Sequence, residues 1–338
     1  MNVWKNIAVP GIILVALWGC TKVELAPVPE KEVSFTVGSY AAQTKSVSLD
    51  TYGITEFQSR GFLHAHGVAE TQEFFGISGE TIRKQSTLWA PASHPYYWPK
   101  SEVSYVNFVS WYGKHVVPTT VSETSLVWDN CTIEPDEDIL FADEAWRYNS
   151  NNVTTLFHHA LAQVKFQARL SRAAEGKASW SVTLSNFRVS NVHKTGTLRL
   201  QNSDPGTARA TKPWTVAPWT TTAATDTLSR EGKTFTLGAS NQILMDSRTV
   251  LPQGTYGMVL TFDYTIHTHY DSGNPLSSTA ENAHDSIDMY LDFGLHSWGM
   301  NESVTYTIVI NPDTNIIVFE PTLTEAWNTD QNNPMYIE

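Results

Sequence analysis

Four imidazoles, one run of carboxylates and two thiols are the groups in this chain whose types and spacing could do chemistry. His64-x-His66 and His267-x-His269 each place two imidazoles two residues apart, which on a strand puts both on one face, the arrangement a metal site on a sheet would use. Two His fall short of the three or four protein ligands that zinc takes. They read as polar residues on half-wet strands, and no metal is expected. Glu134-Pro135-Asp136-Glu137-Asp138 gathers four carboxylates that could hold calcium. It lacks the glycine and the alternating spacing of a calcium loop, so it reads as a charged turn feeding a strand at Ile139. No Gly-x-Ser-x-Gly elbow, phosphate-binding glycine loop or His-Glu-x-x-His occurs. Neither an enzyme nor a cofactor is expected.

The thiols are Cys20 and Cys131. Two cysteines exclude a disulfide framework. Met1 to Gly19 carries one cation, Lys5, then an apolar run from Ile7 to Trp18 interrupted by Pro10-Gly11, ending in Leu17-Trp18-Gly19-Cys20. The run is too short to span a bilayer, which takes about 20 apolar residues, and it has the form of an export signal. Leu three residues before Cys20 and a small Gly just before it are similar to a bacterial lipobox, so residues 1–20 read as a lipoprotein signal whose Cys20 thiol is acylated. The other reading is an ordinary secretory signal with an incidental Cys. Acyl chains such as palmitate, at about 0.8 kcal/mol per buried methylene, would anchor the protein stably. Residues 21–32 have prolines at Pro27 and Pro29 and no hydrophobic period, the composition of a tether.

The elements that must position any site are strands. Charged residues are 17% of the chain, and Thr, Ser, Asn, Trp and Tyr are abundant, a composition that favours sheet over helix. With 34 acidic against 22 basic side chains, a net charge of -12, there is no Lys/Arg excess with which to bind phosphates, so no nucleic-acid partner is expected. At 338 residues the chain has room for two domains. The clearest strand is Leu161 to Leu170, where Leu161, Val164, Phe166, Ala168 and Leu170 settle into alternation with Gln163, Lys165, Gln167 and Arg169. The polar run Tyr148 to Asn152 before it reads as a connector, giving an N-terminal domain over 33–152 and a C-terminal domain over 153–338. The first strand is Val33 to Val37, and the next is expected from Gly61. The Thr/Ala-rich stretch Pro213 to Ser229 reads as a loop. Short strands punctuated by Pro and Gly suggest β-sandwiches. The abundant Trp and Tyr could line a glycan-binding face, although rings in a sandwich more often fill its core.

Leu17-Trp18-Gly19-Cys20, Tyr97-Trp98-Pro99 ahead of the strand Val103 to Trp111, Asp138-Ile139-Leu140-Phe141-Ala142, His159 to Phe166 and Val250-Leu251-Pro252-Gln253 together, and in this order, resemble the fimbrillin family of Bacteroidales. The resemblance implies an all-β fold of two transthyretin-like, Greek-key β-sandwich domains in series. It also implies a subunit or anchor-type accessory protein of a surface pilus, exported as a lipoprotein to the outer membrane. Its partners would be other fimbrial subunits, the outer membrane through the lipid, and host or bacterial surface ligands. In that family a protease cuts after Arg and removes the lipid together with the first strand, and the emptied groove accepts a strand from the next subunit. Arg60 is the sole Arg between Cys20 and Gly61, which makes it the candidate cleavage site. An uncut subunit would stay on the membrane, as expected of an anchor. A surface lipoprotein that binds glycans through an aromatic face is the alternative reading.

The closing hairpin is the candidate donor of the exchanged strand. Val304, Tyr306, Ile308 and Ile310 lie on one face of its first arm, and Ile317 and Phe319 oppose Ile316 and Val318 in the second. Neither charge nor proline blunts the second arm before Glu320-Pro321. A central pair in the last sheet would show the same two-faced apolarity, so both readings stand at this point.

Overall fold

The computed structural model describes residues 31–40, 46–47, 53–86, 88–100, 103–142, 152–176, 178–202, 214–230, 232–270, 280–290, 297–313 and 316–324. The chain divides into two units, Met1–Glu30 and Lys31–Glu338, and every described residue lies in the second. Cys20 and residues 21–30 of the tether lie outside them. Among the described residues all regular elements are strands, so the chain is all-β.

The first layer is a sheet that closes on itself. Strands Val153–His159, Ile139–Ala142, Tyr105–Gly113, Glu56–His64, Glu80–Gln85, Leu88–Pro91 and Phe35–Tyr40 are neighbours in that order, and Phe35–Tyr40 returns to pair with Val153–His159, giving a barrel-like ring of 7 strands. Closure removes the free edges that an open sheet exposes. The interior is aromatic: Phe35, Phe57, Trp89, Phe108 and Phe157 are all at most 3% exposed. Rings of this size bury 150–250 Å2 each and so dominate what a small barrel can hold.

A second sheet, Thr120–Val121, Ser125–Thr132, Thr195–Gln201 and Thr215–Val216 with Thr220–Thr221, lies against the outside of the ring. Phe62, Val109, Trp111, Ile139 and Phe141 of the ring pack there with Leu126, Trp128, Leu198, Leu200, Trp214 and Trp219. This layer explains why Tyr105–Gly113 is buried from Val106 through Trp111 without alternation: one face fills the ring and the other meets the second sheet. It also corrects the reading of 213–229 as a plain loop. The Thr/Ala-rich stretch carries three short strands and sends Trp214 and Trp219 into this core, at 5% and 8% exposure, because two large rings bury enough apolar area to order a polar segment.

The C-terminal layers form a sandwich. One sheet runs Gln242–Val250, Ala162–Leu170, Ser303–Asn311, Ile316–Thr324, and the other runs Ala174–Glu175, Ala178–Val192, Val259–Tyr270, Ala280–Tyr290, with Asp226–Ser229 and Thr234–Leu237 on Ala178–Val192. Phe166, Phe187, Phe262 and Tyr306 meet between them. Ala162–Leu170 alternates buried and half-buried along its whole length, as its two-residue period predicts. The strand Val153–His159, just past the polar connector, belongs to the ring, so the chain changes layers at Ala160-Leu161. Ser125–Thr132, before the connector, pairs with Thr195–Gln201 beyond it. The middle core is therefore built from both halves of the chain.

Candidate functional site

The strand Phe35–Tyr40 is attached unequally to its two neighbours in the ring, and its far end, Ser39–Tyr40, also pairs with Ser46–Val47. It runs parallel to Val153–His159 over five register pairs, from Phe35 opposite Val153 to Ser39 opposite Phe157. Its link to Leu88–Pro91 is one pair, Phe35 opposite Trp89. Val33 donates its N–H to Tyr96 O at 2.8 Å and Val153 donates to Ser34 O at 2.8 Å, and the Ser34 hydroxyl donates to Asn152 Oδ1 at 2.7 Å. The inward side chains of the strand add to this backbone pairing. Val33 and Phe35 are 2% and 0% exposed, and the Phe35 ring stands edge-on to Phe57 and Phe108 with centroids 5.8 and 5.3 Å away. Edge-to-face pairs of this kind add about 0.5–1.5 kcal/mol each beyond their burial. The strand fills a slot between Leu88–Pro91 and Val153–His159, and its departure would open the ring there.

Arg60 lies inside Glu56–His64, not ahead of a strand. The sequence reading began that strand at Gly61; pairing starts at Glu56, opposite Arg83. Arg60 faces Val109 of the next strand, its guanidinium donates to Val121 O and to the Glu73 carboxylate, and its Cζ sits 5.1 Å from the Phe62 ring centroid. Across the scissile bond, Gly61 O accepts from Phe74 N at 2.7 Å. A Cβ on Gly61 would lie 3.0 Å from Phe74 Cβ, so the close crossing of Phe74 favours glycine here. A protease must bind its substrate as an extended strand, and this one is already paired on both sides. The folded protein is accordingly expected to resist an Arg-specific protease at Arg60–Gly61, while chain denatured in urea is cut there. Mass spectrometry of the digests checks this, and rapid cutting of the native chain at that bond would count against it.

The first arm of the closing hairpin is interior. Val304, Tyr306, Ile308 and Ile310 are each 0% exposed, on a strand paired in parallel with Ala162–Leu170 and antiparallel with Ile316–Thr324. Tyr306 stacks on Phe166 at 5.0 Å and its hydroxyl accepts from Trp298 Nε1 at 2.8 Å; burial raises its pKa well above the usual phenol range. The second arm is different. It lies at the end of its sheet, Ile317 is half-buried, and Ile316 and Val318 are 56% and 47% exposed. The side chain of Phe319 is outside the described set. Of the hairpin residues singled out from the sequence, four are core and Ile317 and Phe319 belong to the peripheral strand.

One His pair comes apart, and the other stays on a single strand, Val259–Tyr270. His64 Nε2 lies 2.6 Å from Glu123 Oε1 and its ring stacks on Tyr105 at 4.5 Å, whereas His66 falls beyond the end of the strand. His267 Nε2 is 3.1 Å from Thr183 Oγ1. Among the described residues no three His, Cys, Asp or Glu are grouped to hold a metal. The acidic run is a structural turn. Glu137, 1% exposed, accepts backbone N–H bonds from Lys114 at 2.7 Å, His115 at 2.9 Å and Asp138 at 3.0 Å; desolvation raises its pKa against the lowering by those bonds. Asp138 meets His159 Nδ1 at 2.8 Å. Cys131 is a free thiol whose pKa burial pushes up to about 11, and a thiol so far from ionisation is a poor nucleophile at neutral pH.

Comparison with known proteins adds to this geometry. A family model described as fimbrillin-like matches residues 62–327. Among solved structures, a fimbrial protein from Bacteroides vulgatus is 11% identical with a TM-score of 0.52, over 88% of this chain and 100% of its own. A candidate cell adhesion protein from Bacteroides uniformis is 16% identical with a TM-score of 0.48, over 88% and 98%. No curated protein matches. With the family match spanning well over half of its length, this chain belongs to the fimbrillin-like family.

Proposed function

We propose that this protein is a subunit of a cell-surface fimbria, exported as a lipoprotein acylated at Cys20, held at the outer membrane by that lipid, and joined to related subunits by exchange of a strand. The observation that carries this reading is the slot occupied by Phe35–Tyr40, whose tenant closes a ring through one register pair on one side and a buried Phe. A foreign strand in the same place would satisfy the same backbone groups and fill the same pocket, and this needs no catalytic residue and no cofactor. Two transthyretin-like sandwiches in series, nominally 33–152 and 153–338, are the family architecture this reading adopts, with the Trp-rich middle core joining them. With Arg60 sequestered, an uncut folded subunit keeps its first strand and its slot filled, the state of an anchor-type accessory protein, and only a cut subunit accepts a foreign strand. Removal of the strand by cleavage at Arg60 requires that Glu56–His64 be opened or not yet formed.

The glycan-binding alternative draws no support from the surface of the described residues. Seven of the eight described Trp residues are buried and Trp180 is partly so, while the exposed large aromatics among the described residues are Tyr97 and Tyr256. The test of the fimbrial reading is direct. A protease sequence inserted between Asp50 and Thr51 allows the first strand to be severed from the folded protein, after which multimers are expected on size-exclusion chromatography and by electron microscopy. A severed protein that stays monomeric at high concentration would sink the reading.

A further inference from the structure

We propose that His267, His269 and Glu281 form a zinc site on the outer face of the C-terminal sandwich, where the ion ties an edge strand to its neighbour. The site does not depend on strand exchange.

The register of two strands builds it. Along Val259–Tyr270, Tyr264, Ile266 and Thr268 are 3%, 3% and 7% exposed, so His267 and His269 fall on the opposite, outer face, the first half-buried and the second exposed. Two imidazoles in this relation supply two ligands, and a zinc site that keeps an open position takes three from the protein. The antiparallel neighbour provides the third. Ala280–Tyr290 pairs with Val259–Tyr270 so that Glu281 is directly opposite His267, and residues so placed share a face with Cβ atoms about 4.5–5.5 Å apart. His269 is the diagonal neighbour of the same position, at about 7–8 Å, within reach of a long side chain. The side chain of Glu281 is outside the described set, so the grouping is one of backbone positions and stands beside the two-imidazole count among described side chains. Two His and one Glu are a donor set that holds zinc with a fourth place open to water.

The surroundings suit that use. On the other flank Ser181 is opposite His267 and Ser179 opposite His269, small residues that leave the outer face open over the imidazoles. Thr183 Oγ1 lies 3.1 Å from His267 Nε2. A partner at one ring nitrogen fixes the orientation and tautomer of a ligating His; with Thr183 accepting from Nε2–H, His267 ligates through Nδ1. The pair His64-x-His66 has no such arrangement, because His66 lies beyond the end of its strand and His64 meets Glu123. Among the described residues Ala280–Tyr290 pairs with Val259–Tyr270 alone. An ion shared across the pair therefore fastens an edge that backbone hydrogen bonds hold on one side, and since its ligands are gathered only in the folded chain, binding stabilises the fold.

The test uses the full chain with Cys20→Ala and Cys131→Ala, which removes both thiols as competing ligands, stripped with a chelator and titrated with zinc chloride in a calorimeter. One saturable site per chain is expected. Glu281→Gln and His269→Ala should each weaken it more than about tenfold, and Thr183→Val, which removes only the partner of Nε2, by about tenfold. Glu281→His, which returns a ligand of another type, should keep the site. Zinc should raise the urea midpoint of the parent and of Glu281→His but not that of Glu281→Gln. An arm that needs no variant at these positions is carbethoxylation mapped by mass spectrometry: zinc should protect His267 and His269, while the exposed His66 is labelled with or without it. Absence of a saturable site, equal affinity in Glu281→Gln, or protection of other histidines instead would overturn the proposal. So would binding that survives Glu281→Gln and is lost in Asp271→Asn, since the third ligand would then come from the same stretch of chain as the two His.

Discussion

Phe35→Ala is expected to destabilise the ring by about 3–5 kcal/mol, the range for deleting a fully buried Phe side chain. The residue is 0% exposed, contacts Phe57 and Phe108 edge-on, and sits at the single pair joining its strand to Leu88–Pro91. Losing it removes the plug that keeps the slot closed. Two readouts should move together: the urea midpoint should fall, and the Arg60–Gly61 bond should become cleavable in protein that is otherwise folded. Thr36→Ala, on the exposed side of the same strand, should stay within about 0.5 kcal/mol of the parent, as surface changes do. If Phe35→Ala melted like the parent and remained uncut, the strand would be held by something other than its inward side chains.

The second large effect lies in the middle core, where the two halves of the chain meet. Trp128 is 0% exposed among Phe62, Val109, Leu198 and Leu200, so Trp128→Ala should cost about 3–5 kcal/mol. A comparison of conservative changes is sharper. The indole N–H of Trp128 has no acceptor among the described residues, whereas Trp219 Nε1 donates to Ala160 O at 2.7 Å, at the point where the chain changes layers. Trp128→Phe gives up ring volume but also an unsatisfied donor. Trp219→Phe gives up similar volume and strands a buried carbonyl, a further penalty of about 1–3 kcal/mol. Trp219→Phe should therefore melt well below Trp128→Phe in urea titrations followed by fluorescence, and the reverse order would show that the Ala160 bond does not hold the layers together. A single transition in both variants would show that the middle core makes the ring and the sandwich one cooperative unit.

Much of this architecture was legible in the residues themselves. The alternation Val164, Phe166, Ala168, Leu170 against Lys165, Gln167, Arg169 specified a strand with one dry face, and that is how Ala162–Leu170 sits. The abundance of Thr, Ser, Asn, Trp and Tyr pointed to sheet, which is the regular structure of the described residues, and Glu134 to Asp138 read correctly as a turn ahead of Ile139. These are local properties, set by which face of a short segment each side chain occupies. The identity of a strand's partner is not local. Nothing near Phe35 announces that it pairs with Val153, 118 residues away, so the closure of the ring could not be read from either segment. The same holds for Arg60, which the sequence puts just ahead of a strand at Gly61 and which is instead inside a strand, clamped by Val121 and Glu73, and for Trp214 and Trp219, whose Thr/Ala-rich surroundings concealed that they fill the middle core. In the closing hairpin, two-faced apolarity suits a central strand and a strand waiting for a partner equally well. Only the tertiary neighbours separate them: Ser303–Asn311 is enclosed between two strands, and Ile316–Thr324 has one neighbour and leaves Ile316 and Val318 in water, because burial depends on what the rest of the chain brings alongside.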